Sequence, residues 1–428
     1  MSDIYVTRQP IFDRADTAVA YELRYRECDD GRDPFASSYL DGSFELLRSS
    51  LPAWVRVNRE QLVGGIFDST EASALTLLVP PDLNVDDEVV AAVTKLAARS
   101  VRLALDDFDL PEDSAAPIFR LLRPAAMVRI DMRCRSLPSF SSMVKTLKAM
   151  GKNVAADHVE DTPLHRACLA AGFDTFQGPH FSHPEPLPSA ALPASTATAL
   201  RLLSLAGDAN TSDRELEATI SADPGITYQL LRIVNSAAVG GHGITSIPHA
   251  LRLVGRTNLV SWLSLASATS HSGSRGAADE LIRQAVQRAR FCESLAGSSG
   301  KLDKGTLFLM GLFSLLDVVF RIPMIQILDR INLSTEVKEA LLDRSGPYAD
   351  PLILVESYEL GLWEGVLAAA ERLGIHPENL ARYYGDSVWW ASEQMPTESR
   401  SVWLGRTEKA GGRSREPARN ARATFSSA

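Results

Sequence analysis

The chain has 428 residues, 45% of them apolar and 23% charged, with a formal net charge of −9. At roughly 100–200 residues per domain this length suggests two domains, and the acidic balance speaks against a body that binds phosphate backbones, so no nucleic acid is expected as a partner. Four scattered cysteines, Cys28, Cys134, Cys168 and Cys292, include no C-x-x-C pair and read as reduced thiols, not as a disulfide frame or zinc site. The opening MSDIYVTRQP lacks the apolar run of a signal peptide, and no stretch approaches about 18 uninterrupted apolar residues. The expected location is the cytoplasm, with no membrane span.

The first part of the chain alternates two periodicities. Short β-rich runs lie at Ala18–Tyr25, Trp54–Val57, Leu75–Val79, Val101–Leu105, Met127–Ile130 and Asn153–Ala156, with helical patterns such as Asp86–Ala98 and Phe140–Met150 between them. This alternation predicts a parallel sheet closed into a TIM-type α/β barrel. Residues 183–195, HPEPLPSAALPAS, carry four prolines and read as a stiff connector. From Thr196 to about Trp390 helical periodicity takes over, over Ala197–Ala206, Asp213–Ala222, Gly225–Ala237, Ile247–Val254, Thr257–Ser270, Asp279–Ala296, Lys304–Val319, Met324–Ile331, Ser334–Asp343, Pro351–Leu360 and Trp363–Leu373. Ser212 and Ser334 stand at N-cap positions. The end of the chain is poor in apolar residues and basic, and it reads as a disordered tail. The expected domains are 1–188, a linker at 189–195, an all-α domain at 196–392 and the tail at 393–428.

Carboxylates and amides gather at or near predicted strand ends: Glu22, Asn58, Asp106, Asp107, Asp131, Asp157, Glu160 and Gln177. In a (β/α) barrel these ends are where functional side chains converge. Hard oxygen donors there suit Mg²⁺ or Mn²⁺, which activate water for phosphodiester cleavage. Aspartates after strands also form turns and cap helices, so a purely structural reading stands beside the functional one.

The runs RQPIFDR and AVAYELRYR, then WVRVN, LALDDF, MVRID, NVAADHVE and FDTFQGPHFSHP, resemble in order the motifs of the EAL domain, in its shortened RQPIFD…YELxYR form. The resemblance covers about residues 3–188. It implies a cyclic-di-GMP phosphodiesterase fold, with Glu22, Asn58, Asp106 and Asp107 at metal-binding positions, and with Glu160 and Gln177 in the terminal motifs. Several positions depart from that pattern. Leu77 is aligned with a metal-binding Glu, Arg129 with a Lys that helps position or activate the water, and Asp157 with a Glu; Arg24 stands in the name-giving signature. Leucine cannot ligate a cation, and arginine cannot serve as a base. The short spacing from Glu22 to Asn58 implies a missing piece of barrel wall or substrate cover.

ADPGITYQLLRIVNSAAVG and ITSIPHALRLVG resemble the HDOD domain, a helical relative of the HD phosphohydrolases that lacks their metal ligands. The matching residues include Asp223, Pro224, Asn235 and Ser236, which also suit a helix start and a turn. Ser314 occupies the place of the HD pair, Asp317 reads as a vestige or an ordinary helix residue, and His242, His249 and His271 are not at ligand spacing. The resemblances together lead to an expected degenerate EAL–HDOD protein, not an enzyme, with no catalytic residue and no metal. Mg²⁺ or Mn²⁺ would enter only with residual EAL activity. The expected function is scaffolding through signalling proteins such as diguanylate cyclases, kinases or motility and pilus components. The alternatives are a sensor that binds cyclic-di-GMP without cleaving it and a weak cyclic-di-GMP phosphodiesterase.

Overall fold

The computed structural model describes residues 5–26, 33–40, 43–48, 51–68, 74–108, 117–134, 137–181, 201–202, 205, 211–221, 275–299, 302–320, 322–329 and 333–394. Eight strands close into a barrel in chain order: β1 (Val6–Asp13), β2 (Ala18–Tyr25), β3 (Ala53–Arg56), β4 (Leu75–Val79), β5 (Arg102–Leu105), β6 (Met127–Asp131), β7 (Asn153–Asp157) and β8 (Thr175–Phe176). β1 runs antiparallel to both β2 and β8, while β2 through β8 are mutually parallel. The barrel wall is therefore complete, which corrects the expectation that a piece of it is missing between Glu22 and Asn58. That stretch includes two short helices, α1 (Pro34–Leu40) and α2 (Ser43–Arg48), before β3. Further along, α3 (Arg59–Val63), α4 (Asp87–Ala98), α5 (Phe119–Leu122), α6 (Leu137–Ala149) and α7 (Thr162–Ala171) follow β3 to β7.

Alternation along the strands sorts the barrel interior into layers. Ile11, Ala20, Trp54, Leu78, Ala104, Met127 and Ala155 form a separate apolar cluster. One full period further toward the mouth stand Gln9, Glu22, Arg56, Asp106, Arg129, Asp157 and Gln177. The plug fills the closed end, and the polar layer sits above it. The opposite parity, including Val55, Leu77 and Leu103, faces the surrounding helices and joins the main core. β1 contains Pro10, which hides its strand character in the sequence. Of β1, only Phe12 and Asp13 pair with β8, so one flank of β1 at Pro10 requires no donor.

The helical part is centred on the 25-residue helix Arg275–Ser299, which packs against Lys304–Phe313, Ala349–Leu360 and Glu378–Gln394. Lys304–Val319, expected as one helix, breaks into Lys304–Phe313 and Leu316–Phe320. At the break the Ser314 hydroxyl donates to the Gly311 carbonyl at 2.7 Å and accepts from Arg288 Nη1 at 2.9 Å. These bonds draw the chain off the helical path. The residues expected to carry the HDOD motif, Asp223, Pro224, Asn235 and Ser236, lie outside the described residues, as do His242, His249, His271 and the proposed linker. Among the described residues no helix is long and apolar enough to cross a membrane. Cys168 and Cys292 are free and buried, and burial pushes the Cys168 thiol up to about 12.

Barrel and helices belong to one compact unit, Met1–Pro396, and share one apolar core. Part of the contact runs through the β1–β2 hairpin, and α2 also packs against Glu378–Gln394. Arg8 Nη2 donates to Gln287 Oε1 at 2.8 Å, the Arg8 backbone N–H donates to Tyr384 Oη at 3.1 Å, and Tyr21 Oη donates to Glu280 Oε2 at 2.8 Å. The Arg8 guanidinium lies 4.6 Å from the Tyr21 ring centroid. Tyr5 meets Trp363 and Tyr358 beside this network. Tyr21 and Arg8 face the helices, whereas their neighbours Glu22 and Gln9 face the barrel mouth.

Gly311 sets the approach of Lys304–Phe313 to Arg275–Ser299. A Cβ there would stand 2.8 Å from Ala289 Cα and 2.8 Å from the Arg288 carbonyl oxygen, both backbone atoms. Gly311→Ala is expected to push the helices apart and to destabilise the protein by about 1–3 kcal/mol. Urea unfolding monitored by circular dichroism checks this, and an unchanged midpoint would show that the helices part freely.

Candidate functional site at the barrel mouth

The mouth is organised around one guanidinium. Arg129, on β6, is 2% exposed. Its Nε donates to Asp106 Oδ1 at 2.5 Å. Its Nη1 stands 3.0 Å from Glu22 Oε2 and 3.5 Å from Asp157 Oδ2, and donates to Gln177 Oε1 at 3.3 Å. Gln177 Nε2 in turn donates to Glu22 Oε2 at 2.6 Å and to Gln9 Oε1 at 3.1 Å. Strands β1, β2, β6 and β7 and the segments after β5 and β8 are thus tied together across the barrel.

Two further arginines approach from the solvent side. Arg56 donates through Nε and Nη2 to Asp106 Oδ2 at 3.0 and 2.6 Å, and through Nη2 to Asp107 Oδ2 at 2.9 Å. Arg24 Nη2 donates to Glu22 Oε2 at 2.9 Å. Arg24 and Arg56 side chains are 36% and 53% exposed. At two strand ends the backbone turns left-handed just after an aspartate: Asp107 has φ +44 and His158 has φ +56. Each following N–H donates to the preceding carboxylate, Asp107 N to Asp106 Oδ1 at 3.0 Å and His158 N to Asp157 Oδ1 at 2.8 Å. The turn places His158 Nδ1 3.3 Å from Asp157 Oδ2 and 3.5 Å from Asp131 Oδ1. Gly178 closes the site from β8. A Cβ there would lie 2.3 Å from the Val159 nitrogen, and its φ is +147, so only glycine allows this approach.

The carboxylates differ in their titration. Burial opposes charge on Glu22, but the Arg129 and Arg24 guanidiniums outweigh it and hold its carboxyl well below the usual range. Burial pushes Asp157 up, Glu22 adds to the rise, and Arg129 only partly offsets it. Arg129 keeps its charge despite burial, because Glu22, Asp157 and Asp106 hold its pKa above the ordinary arginine value.

The structure thus brings together Glu22, Asp106, Asp107, Arg129, Asp157 and Gln177. It keeps three other positions apart. Asn58 is the N-cap of α3, its side chain accepting from Gln61 N at 2.8 Å in a capping box. Glu160 is exposed beyond β7. Leu77 is corrected: it pairs in register with Val55 and Leu103 on the outward face, and the inward residue of β4 is its neighbour Leu78. One residue along a strand reverses the side chain, so a one-residue offset changes the face. Arg56 and Gln9 were missed in the sequence. Arg56 lies one strand period before Asn58, and Gln9 one period before Ile11, so inward parity was the available signal.

The Mg²⁺ or Mn²⁺ implied by the resemblance does not fit this arrangement. Glu22, Asp106 and Asp157 surround Arg129, Asp106 and Asp107 also bind Arg56, and the inward Leu78 of β4 lies in the plug beneath them. Among the described residues no group of three or more His, Cys, Asp or Glu side chains is disposed to hold a metal ion.

A model of the HDOD domain family matches residues 192–327. The YuxH protein of Bacillus subtilis strain 168 is 25% identical over 407 residues, 92% of this chain and 99% of that protein. The cyclic di-GMP phosphodiesterase CdgJ of Vibrio cholerae serotype O1 is 28% identical over 413 residues, 92% of this chain and 93% of its own. The solved PaMucR phosphodiesterase–c-di-GMP complex overlays with a TM-score of 0.34 at 20% identity, over 41% of this chain and 94% of that one. The chain joins a closed eight-stranded barrel to a helical part, and it is the helical side that the HDOD family model matches. The expectation that it is not an enzyme does not stand, because a relative matched over nearly its whole length is a phosphodiesterase by name.

The opposed carboxylates give a pH prediction. Ionised Glu22 stabilises the fold above the ordinary glutamate range, about 4.3, and that stability is lost as pH falls toward its depressed folded value. Ionising Asp157 has the opposite sign: below about 4 it costs nothing, and the cost grows as pH rises through its elevated folded value. Glu22→Gln is therefore expected to cost roughly 3–5 kcal/mol at neutral pH, shrinking in acid. Asp157→Asn is expected to gain on the wild type as pH rises. Urea titrations between about pH 3 and pH 8 read both slopes, and parallel curves for the two variants would overturn the assignment.

Proposed function

We propose that the protein works in cyclic-di-GMP signalling and that the barrel mouth is where the dinucleotide is recognised. The observation that carries this reading is a pair of partly exposed guanidiniums, Arg24 and Arg56, at the mouth of an EAL-like barrel. Cyclic-di-GMP presents two phosphodiester anions, and the planar guanidinium fork matches their oxygens. Arg56 shares its Nη2 between Asp106 and Asp107. An arriving phosphate would compete with the Asp107 contact, while Nε keeps its bond to Asp106.

Hydrolysis of the dinucleotide is the second reading, favoured by the full-length relation to the Vibrio cholerae phosphodiesterase. In both readings the HDOD half carries the signal onward to a protein partner, since the hairpin that lines the mouth also bonds to its helices.

Calorimetric titration of the full-length protein with cyclic-di-GMP, in EDTA and in Mn²⁺, tests the proposal when the same samples are analysed chromatographically. Micromolar binding that weakens about tenfold or more in Arg56→Ala is expected. No heat in either condition would overturn recognition at the mouth. Linear dinucleotide above a heat-killed control would establish the second reading.

A further inference from the structure

The β1–β2 hairpin is held from two sides at its mouth end. On the mouth side of Phe12 the seam between β1 and β8 carries no strand pairing among the described residues. Pro10 has no N–H to offer there, and the Gln177 Nε2 donation to Gln9 Oε1 at 3.1 Å spans the seam by side chains. The helices hold the other face. Tyr384 Oη accepts the Arg8 backbone N–H at 3.1 Å, and Gln287 Oε1 accepts from Arg8 Nη2 at 2.8 Å. Glu280 Oε2 accepts from Tyr21 Oη at 2.8 Å and from Arg283 Nε at 3.3 Å. Tyr21, Glu280, Gln287 and Tyr384 are all buried, and burial together with the Glu280 carboxylate keeps the Tyr21 hydroxyl protonated and donating. A buried donor cannot exchange its partner for water without cost, so its position follows the helix that carries the acceptor. Tyr21 and Glu22 are consecutive on β2. Glu22 Oε2 is the oxygen on which Gln177, Arg24 and Arg129 meet in the mouth, at 2.6, 2.9 and 3.0 Å.

We propose that Tyr21 is a positioning residue through which the helix Arg275–Ser299 sets Glu22, and with it Arg24, so that the helical half regulates the barrel mouth. A displacement of Glu280 or Gln287 moves the backbone of both hairpin strands, because Arg8 alternates with Gln9 as Tyr21 does with Glu22. Arg24 and Gln177 share one Glu22 oxygen, so a shift of that oxygen changes how firmly Arg24 is held and how freely it meets an incoming phosphate. Coupling of this kind is reciprocal: a mouth ligand favours one arrangement of the helix by the same factor by which that arrangement favours the ligand. The nucleotide readouts rest on recognition of cyclic-di-GMP at the mouth, whereas the mechanical link between mouth and helix can be read without any nucleotide.

Calorimetric titration with cyclic-di-GMP and amide hydrogen exchange read by mass spectrometry, both on the full-length protein, test the coupling. In the wild type, saturating nucleotide is expected to slow exchange in Arg275–Ser299 about fivefold more than in Thr335–Asp343. Tyr21→Phe, which removes a hydroxyl that lies outside the mouth, is expected to weaken nucleotide binding about fivefold or more and to abolish that slowing. Glu280→Gln keeps an acceptor for the Tyr21 hydroxyl and is expected to bind as the wild type does. A merely structural Tyr21 would lower the melting temperature of Tyr21→Phe and leave its affinity unchanged, which would overturn the proposal. Unchanged exchange in Arg275–Ser299 of a wild type that binds would do the same, and this comparison decides where Tyr21→Phe does not fold. Where the wild type takes up no nucleotide, recognition at the mouth fails and Gln9→Ala decides the coupling on its own. Faster exchange in Arg275–Ser299 relative to Thr335–Asp343 then supports the link, and an unchanged ratio overturns it.

Discussion

The buried ion cluster around Arg129 is the constraint from which the barrel mouth takes its form. A guanidinium at 2% exposure would be costly alone, and three buried carboxylates without it would be costlier. Each charge is tolerable only because the others are there, so the strands that carry them must close to hydrogen-bonding distance. The apolar plug of Trp54, Leu78 and Met127 below gives the polar layer a floor. The low dielectric that strengthens these pairs would also penalise any vacancy among them.

The same hairpin serves two neighbourhoods because strand side chains alternate. On β2, Tyr21 bonds Glu280 on the helical side while Glu22 bonds Gln177 and Arg129 in the mouth. On β1, Arg8 reaches Gln287 while Gln9 accepts from Gln177. A shift of either strand cannot be confined to one face, since the backbone between these side chains is common to both. The mouth and the junction with the helices are therefore mechanically one element.

A second buried arginine repeats the theme in the helical part. Arg288 donates to Glu359 at 2.6 Å and to the Ser314 hydroxyl at 2.9 Å, and Glu356 bridges it to Arg344. Ser314 stands where the resemblance to HD phosphohydrolases would place a His-Asp pair. In both halves a delocalised, permanently charged guanidinium satisfies acidic side chains, and its fork geometry fixes their orientation.

Six of the eight strands, their alternation with helices and the barrel closure were legible from periodicity, and Ala18–Tyr25, Leu75–Val79 and Trp363–Leu373 stand where the pattern placed them. Motif order also pointed to Glu22, Asp106, Asp107, Asp157 and Gln177 as neighbours. The sequence did not reveal β1, masked by Pro10, or the two-residue β8, too short to show a period. It turned Leu77 toward the barrel interior, where register instead turns Leu78, in the plug beneath the mouth. It gave Asn58 a ligand's position, where a capping box holds it. What the sequence by itself determined is therefore the kind and order of elements, because local periodicity is a property of neighbouring residues. What only the tertiary structure decided is who pairs with whom. Arg56 and Arg129 are cations anywhere in the chain, and only barrel closure brings them onto carboxylates from 23 to more than 100 residues away.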